Sequence, residues 1–525
     1  MNGSTAIRSR RWDYFLTSRS PGSAAGFVRM QNWGRVLGTV SIAALALIGS
    51  CSRSALDGPY QATGIKIGEV TDTEAIVWTR LTRQPERVGR EAPRPVVQYR
   101  VPGQEELQDQ PSGPFKPPDW IPLVQYPEGS SVEFIEGAVV GAPGEVRVLY
   151  RAAGADPWQS TEWEAVHPDH DFTHQFRLTG LTPATEYEVR VEGRPLGSES
   201  ISSSLSGSFG TAPPANEAAR VVFTSVTGTE YDDQDAAEGG FLIHRSMMDL
   251  DPDFFVHTGD ILYYDDWAKN VDLARWGWGR MFSLATNLEF HRQVPTYFMK
   301  DDHDTWQNDT WPSQESRFMG DFTFQDGLGI FKEQVPMGER TYRTFRWGQD
   351  VQIWLVEGRD YRSANPDRDG PDKTIWGAEQ KAWFKETVES SNATFRILIS
   401  PTPLVGPDAS TKADNHANEA FATEGRELRE FLVEHGMIVI CGDRHWQYVS
   451  VDDETSLQEY ATGAASDAHA SGWPPDDKRP EHRYLNVIGG FLSVTAERPG
   501  GTPTLILRHH NVRGEVLNED ILAAE

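Results

Sequence analysis

The chain has 525 residues and a formal net charge of -28, so it is long enough for two or three domains and lacks the basic excess that neutralises a nucleic-acid backbone. With 38% hydrophobic and 11% aromatic residues it is globular, which excludes disorder of the whole. A protein this acidic attracts an anionic substrate only through something local, such as bound cations or a few arginines.

Residues 1–50 read as an export signal: Arg35 precedes an apolar core from Val36 to Ile48, and small residues lead to Cys51. That core is too short for an ordinary spanning helix. Ile48-Gly49-Ser50-Cys51 resembles the bacterial lipobox, which implies a lipid on Cys51 as the single membrane attachment. Ser52 after it fits an outer-membrane address, facing the periplasm or the cell surface. Met30 is an alternative start. Arg10-Arg11 resembles a twin-arginine signal but lies far from the apolar core, so that reading ranks second. The other cysteine, Cys441, ends the apolar run "MIVIC" and reads as a core residue.

Residues 51–215 read as an N-terminal β-sandwich of the fibronectin type III kind. "GIKIGEVTDTEAIVWTRL" (64–81) alternates apolar and polar residues, "HDFTHQFRLTGLTPATEYEVRVEG" (170–193) is a second strand-turn-strand, and "GSFGTAPP" (207–214) reads as a closing linker. The Pro- and Gly-rich stretch at about 83–169 reads as an insertion with strands of its own. From 216 to 525 the pattern changes. "RVVFTS", "DFFVHT", "PTYFM", "VQIWLVE", "FRILIS" and "MIVIC" alternate with helix-like stretches such as "EGGFLIHRSMMDL", "GAEQKAWFKETVES" and "TEGRELREFLVEHG". That alternation predicts an α/β domain with a buried sheet, a layered α/β/β/α sandwich.

After the apolar runs come "VTGTEYDD", "GDILYYDD", "KDDHD", "GRDYRS", "PTPL" and "GDRHW". Ligands of open α/β sheets bind beyond the carboxyl ends of the strands. One Asp-rich turn is ordinary turn chemistry, but acidic motifs at four of six strand ends, two with His added, point to a metal site. Carboxylates meeting there need cations among them, and oxygen-rich sites with some nitrogen suit Ca²⁺, Fe³⁺, Mn²⁺ or Zn²⁺.

Gly259-Asp260-Ile261-Leu262-Tyr263, Asp301-Asp302-His303-Asp304 and Gly442-Asp443-Arg444-His445, with "GRDYRS" (358–363), "WGAEQKAWF" (376–384) and "DTEAIVWTRL" (72–81), resemble the PhoD-type alkaline phosphatases, a branch of the calcineurin-like metallophosphoesterases. The resemblance spans about residues 56–500. It implies hydrolysis of phosphate mono- or diesters by metal-activated water. It further implies Asp260 as a bridge between two metals, Tyr263 as a phenolate ligand to the harder ion (Fe³⁺), and Asp302 on the second (Ca²⁺). Asp443 and His445 would complete the first site, His303 would be the general acid, and Arg359 and Arg444 would pair with phosphate oxygens. One position departs. The family places a Cys ligand after the first strand, where this chain has Ser225-Val226; Thr227, Glu230, Asp232 or Asp233 would have to substitute. The alternative is a catalytically altered pseudophosphatase acting as a surface binding lipoprotein. "KADNHANEAF" (412–421) reads as a surface loop, and "SDAHASGWPPDD" (466–477), with Asp467 and His469, as pocket lining rather than a source of ligands.

Overall fold

Each apolar run forms a strand whose alternate residues face two different cores. Phe254 and Val256 point to one and Phe255 to the other; Ile397 and Ile399 are separated by Leu398 in the same way. A strand covered on both faces reads as continuously apolar, which is why these segments show no period of two. The computed structural model describes residues 58–524 apart from 112, 114 and 410. The expected signal segment and Cys51 lie outside the described residues. Among the described residues no helix is long and apolar enough to cross a membrane.

Two large sheets pack face to face. The first has nine strands, with Val221–Val226, Phe254–His257 and Thr296–Phe298 parallel at its centre and Gly490–Glu497, Thr504–Asn511 and Val516–Ala523 antiparallel on one flank. The second has seven, with Val351–Leu355, Phe395–Ser400, Met437–Cys441 and Gln458–Thr462 parallel. Phe223, Phe254, Tyr297 and Leu492 of the first sheet share a core with Ile353, Ile397, Ile440 and Tyr460 of the second. Helices Leu242–Met248, Val271–Phe282, Ala285–His291 and Phe324–Gln334 carry the core on the outer face of the first sheet, and Gly377–Glu389 and Ala422–Glu434 that of the second. The result is the layered α/β/β/α arrangement.

The N-terminal strands complete the first sheet: Ile65–Gly68 pairs with Thr296–Phe298 through Gly68 and Thr296, followed by Glu74–Arg80 and Thr173–Thr179. Facing these three is a smaller sheet of Ser203–Gly210, Glu186–Arg194 and Glu145–Ala152, giving the β-sandwich. The sandwich and the α/β layers therefore share one continuous sheet and lie in one compact unit. Two expectations need correction. Glu145–Ala152 pairs along its length with Glu186–Arg194, so the interrupting stretch ends well before 169; a three-stranded sheet of Val96–Arg100, Gln108–Asp109 and Ile121–Gln125 lies within it. "GSFG" of the expected linker belongs to Ser203–Gly210. Its small polar residues carry no apolar signal, because that strand lies at the edge of its sheet with one face solvated.

Parallel strands carry their carboxyl ends to one rim, and a buried lysine ties two of those ends together. Lys300, just beyond Thr296–Phe298, is fully buried and donates to Glu357 Oε1 (2.9 Å), Asp360 Oδ1 (2.7 Å) and Thr305 Oγ1 (3.0 Å). Glu357 and Asp360 follow the second-sheet strand Val351–Leu355. Burial opposes the charge on Lys300, but the two carboxylates more than offset this and hold its pKa above the ordinary value. Lys300→Met leaves both carboxylates buried without their cation. It should lower the unfolding free energy by about 3–5 kcal/mol, measured by urea titration; a loss under about 1 kcal/mol would contradict the brace.

Candidate metal centre

The site grows from two Gly-Asp corners and one Asp-rich turn. Gly259 has φ 116°, and a Cβ on it would lie 2.7 Å from the backbone nitrogen of Asp301, so only glycine lets these two strand ends approach. Asp260 (φ 57°) and Asp443 (φ 62°) follow in the left-handed region, which non-glycine residues enter at a cost of order 1–3 kcal/mol. The two corners are tied by Thr227, whose hydroxyl donates to the Gly259 carbonyl (3.3 Å) and accepts from the Asp443 amide (3.2 Å).

Within "KDDHD" the carboxylates divide their work. Asp304 accepts from the amides of Leu262 (2.8 Å) and Asp301 (3.2 Å), and so holds the turn against the Gly259-Asp260 corner. Asp301 Oδ1 accepts from Arg359 Nε (2.6 Å), and Asp302 Oδ2 from the Asp309 amide (2.5 Å). Asp301 Oδ2, Asp302 Oδ1 and Asp260 Oδ1 have no hydrogen-bond partner although buried. Two overlapping sets of ligand atoms result: Asp260, Asp302 and His303, and Asp260, Asp301 and Asp443, each within 4.8 Å of one another. Asp260 belongs to both.

These carboxylates are hostile to one another. Burial, then Asp302, pushes the Asp260 pKa well above the ordinary carboxylate value; burial does the same to Asp301, aided by Asp302 and Asp443 against the pull of Arg359. Burial also lifts Asp443, to about 7, although Arg444 opposes it. Asp302 goes the other way: Arg359, His303 and Lys412 outweigh its burial. Unsatisfied carboxylate oxygens converging from two strand ends, with Asp443 beside them from a third, fit divalent or trivalent cations, the buried charge that would relieve them.

His303 and Tyr263 complete the wall. His303 Nδ1 meets Asp265 Oδ1 at 2.8 Å, and its ring lies 4.5 Å from that of Tyr263. Asp265 is fully buried; burial raises its pKa, but His303, Lys116 and Lys269 outweigh this and hold it at about 2. Tyr263 Oη touches His445 Nε2 (3.2 Å) and His469 Nε2 (2.6 Å), and His445 Nε2 touches Asp260 Oδ2 (3.1 Å). Thus Asp260, Tyr263, Asp302, His303, Asp443 and His445 of the expected set lie on one rim.

The two arginines expected to pair with phosphate are already engaged. Arg359 is fully buried, facing Asp301, Asp414 (3.3 Å) and Asp302 (3.7 Å), with only Nη1 unpartnered. Arg444 Nη2 holds Asp408 (3.0 Å) and Asp443, leaving Nε without a partner. The stretch 412–421 is no surface loop, because Asp414 and His416 are buried, one on Arg359 and the other on Glu424 (3.0 Å). Val226 is buried in the helix-side core and brings no ligand. Asp301 and Asp265 escaped assignment from the sequence, and His469 reads there only as pocket lining. The first two carry signals in "KDDHD" and "YYDD"; the third has none beyond a His in a polar loop.

Residues 223–478 match the family described as PhoD-like phosphatase. Alkaline phosphatase D of Bacillus subtilis (strain 168) is 20% identical over 452 residues, covering 70% of this chain and 76% of that protein. The solved structure of PhoD superposes with a TM-score of 0.62 at 16% identity over 89% of each chain. The purple acid phosphatase PPD1 of yellow lupin (Lupinus luteus) gives 0.54 at 14% identity over 87% of this chain and 74% of that one. The structural likenesses show the shared fold, and together with the family match they support a metal-dependent phosphoric ester hydrolase.

Replacing Asp265 tests the His303 wall. The Asp265 carboxylate raises the His303 pKa, so in Asp265→Asn the imidazole loses its proton at lower pH. The alkaline limb of the pH–rate profile should move to lower pH and kcat should fall about 10–100-fold. An unchanged profile would show that Asp265 does not set the state of His303.

Proposed function

We propose that this chain, a PhoD-like phosphatase over residues 223–478, is a secreted phosphoesterase that hydrolyses phosphate mono- or diesters at the rim where Asp260, Asp302 and Asp443 meet. The observation that carries this reading is the set of unpartnered carboxylate oxygens on Asp260, Asp301 and Asp302. Metal ions held by Asp260, Tyr263, Asp302, Asp443 and His445, with Asp301 beside them, would supply Lewis-acid activation of water and of the phosphoryl oxygen. Ca²⁺ and Fe³⁺ suit the hard oxygen donors and the phenol, with Mn²⁺ or Zn²⁺ as substitutes.

The chain's own residues do the rest. His303 donates its Nδ1 proton to Asp265, so the proton delivered to the leaving oxygen is the one on Nε2. Arg359 positions Asp301 and keeps Asp302 ionised, and Arg444 holds Asp443 and Asp408; both guanidinium groups are buried against carboxylates, so the charge that meets the phosphate oxygens would come from the bound cations. The acidic surface then does not exclude an anionic substrate, because the site presents its own positive face. Export with a lipid on Cys51 rests on the lipobox-like sequence, and the division at 215/216 on the change from β meander to α/β alternation.

Val226 favours one competing reading, a metal-poor binding protein on a phosphatase fold. Elemental analysis of the anchor-free protein beside hydrolysis of aryl phosphate mono- and diesters separates the two. Bound metal, with turnover lowered at least about 100-fold in Asp260→Ala and Asp302→Ala, is the expected result. A folded protein that takes up no metal after incubation with Ca²⁺, Mn²⁺ and iron would overturn it.

A further inference from the structure

We infer that His469, held by Asp233, is a metal ligand of this site and replaces the one missing at Val226; the inference rests on the metallophosphoesterase reading above. Four donor atoms stand in sequence: Asp260 Oδ2, His445 Nε2, Tyr263 Oη and His469 Nε2, with successive separations of 3.1, 3.2 and 2.6 Å. Atoms bound to one ion at about 2.0–2.2 Å lie about 2.8–3.6 Å apart at octahedral to tetrahedral angles. Two of the separations fall in that range, and the third is a contact that metal entry would widen slightly. His445 Nε2 has one proton to share between the Asp260 carboxylate and the phenol oxygen, so hydrogen bonding leaves that end of the row under-supplied. A cation bound by Tyr263 Oη and His469 Nε2, beside the Asp260–His445 pair, would take the lone pairs that hydrogen bonding leaves over.

The far side of His469 carries the support that metal-binding histidines use. Its Nδ1 meets Asp233 Oδ2 at 3.0 Å, which orients the ring with Nε2 directed at Tyr263. The other candidates for the missing ligand are committed elsewhere. Thr227 bridges Gly259 and Asp443, Asp232 pairs with Arg94 (2.7 Å), and Glu230 caps its own turn at the Asp232 amide (3.4 Å).

The backbone delivers His469 to where a ligand from the first strand would emerge. The Thr227 amide donates to the Gly463 carbonyl (3.1 Å) and the Ala465 amide to the Gly228 carbonyl (3.0 Å), so the loop carrying His469 is stitched to the end of Val221–Val226. Gly228 makes room for both imidazoles: a Cβ there would lie 2.9 Å from His445 Cδ2 and 3.0 Å from His469 Cδ2. The His445 and His469 rings are 4.4 Å apart between centroids. Position 226 thus offers no ligand atom, while the glycine at 228 leaves room for His445 and His469.

The test uses the full chain loaded with ferric iron, read by elemental analysis and by the visible phenolate-to-iron absorption that Tyr263 ligation produces. In His469→Ala, iron affinity should fall at least about tenfold and the band should weaken or shift. His469→Gln, which keeps a hydrogen-bond partner for Tyr263, should behave the same way, and Asp233→Asn should lose about 10–100-fold in iron affinity. Wild-type iron content and an unchanged band in both folded His469 variants, while Asp260→Asn loses metal, would overturn the inference and leave the phosphoesterase reading intact. A wild-type chain that binds no metal would overturn that reading, and the inference with it.

Discussion

Three carboxylate oxygens, on Asp260, Asp301 and Asp302, are buried at one rim with no hydrogen-bond donor. Burying an ionised carboxylate costs several kcal/mol unless a counter-charge repays it, so the ionised arrangement is stable only with positive charge among them. Much of the surrounding architecture distributes that charge. Arg359 takes one oxygen of Asp301, and Lys300 draws the ends of two different sheets together through Glu357 and Asp360. What remains unpaired matches the demand of bound cations, and the same cations explain how a chain of net charge -28 receives a phosphate ester.

The backbone stores the cost of this convergence. Asp260 and Asp443 occupy left-handed conformations that their side chains disfavour, each just after a glycine where its strand turns. Asp304 spends its carboxylate on two amides, a structural duty that frees Asp301 and Asp302 to face inward. His303 has a fixed partner in Asp265 and the tilted ring of Tyr263 against it, so its ring has little freedom to turn. Ligand-bearing loops are thereby held by elements that are themselves rigid, the condition for precise positioning of a phosphoryl group.

The central strands were legible because burial on both faces makes their residues apolar throughout; "DFFVHT", "FRILIS" and "MIVIC" each coincide with one. The rim was legible because motifs follow those strands directly. Glu145–Ala152 and Ser203–Gly210 were not, since one alternates charged with apolar residues inside a Pro-rich region and the other is small and polar. Arg359 reads from sequence as a phosphate-pairing residue, while the fold buries it completely against carboxylates from two other segments. His469 is hardest of all, because its place beside Tyr263 depends on two backbone hydrogen bonds between Thr227-Gly228 and Gly463–Ala465, and no side chain advertises such bonds.

The most direct test of the cation requirement is the thermal midpoint of chelator-stripped and metal-loaded protein across pH. In the stripped protein, carboxyls such as Asp443, raised to about 7, bind protons more tightly when folded than when unfolded. Their contribution is fully present below about pH 4 and lost as pH rises through about 7. The stripped protein should therefore lose stability from about pH 4 to about pH 8 while the loaded protein does not, with the widest gap at the alkaline end. Coincident midpoints at about pH 8 would contradict the account, because the buried carboxylates would then be stable without a cation.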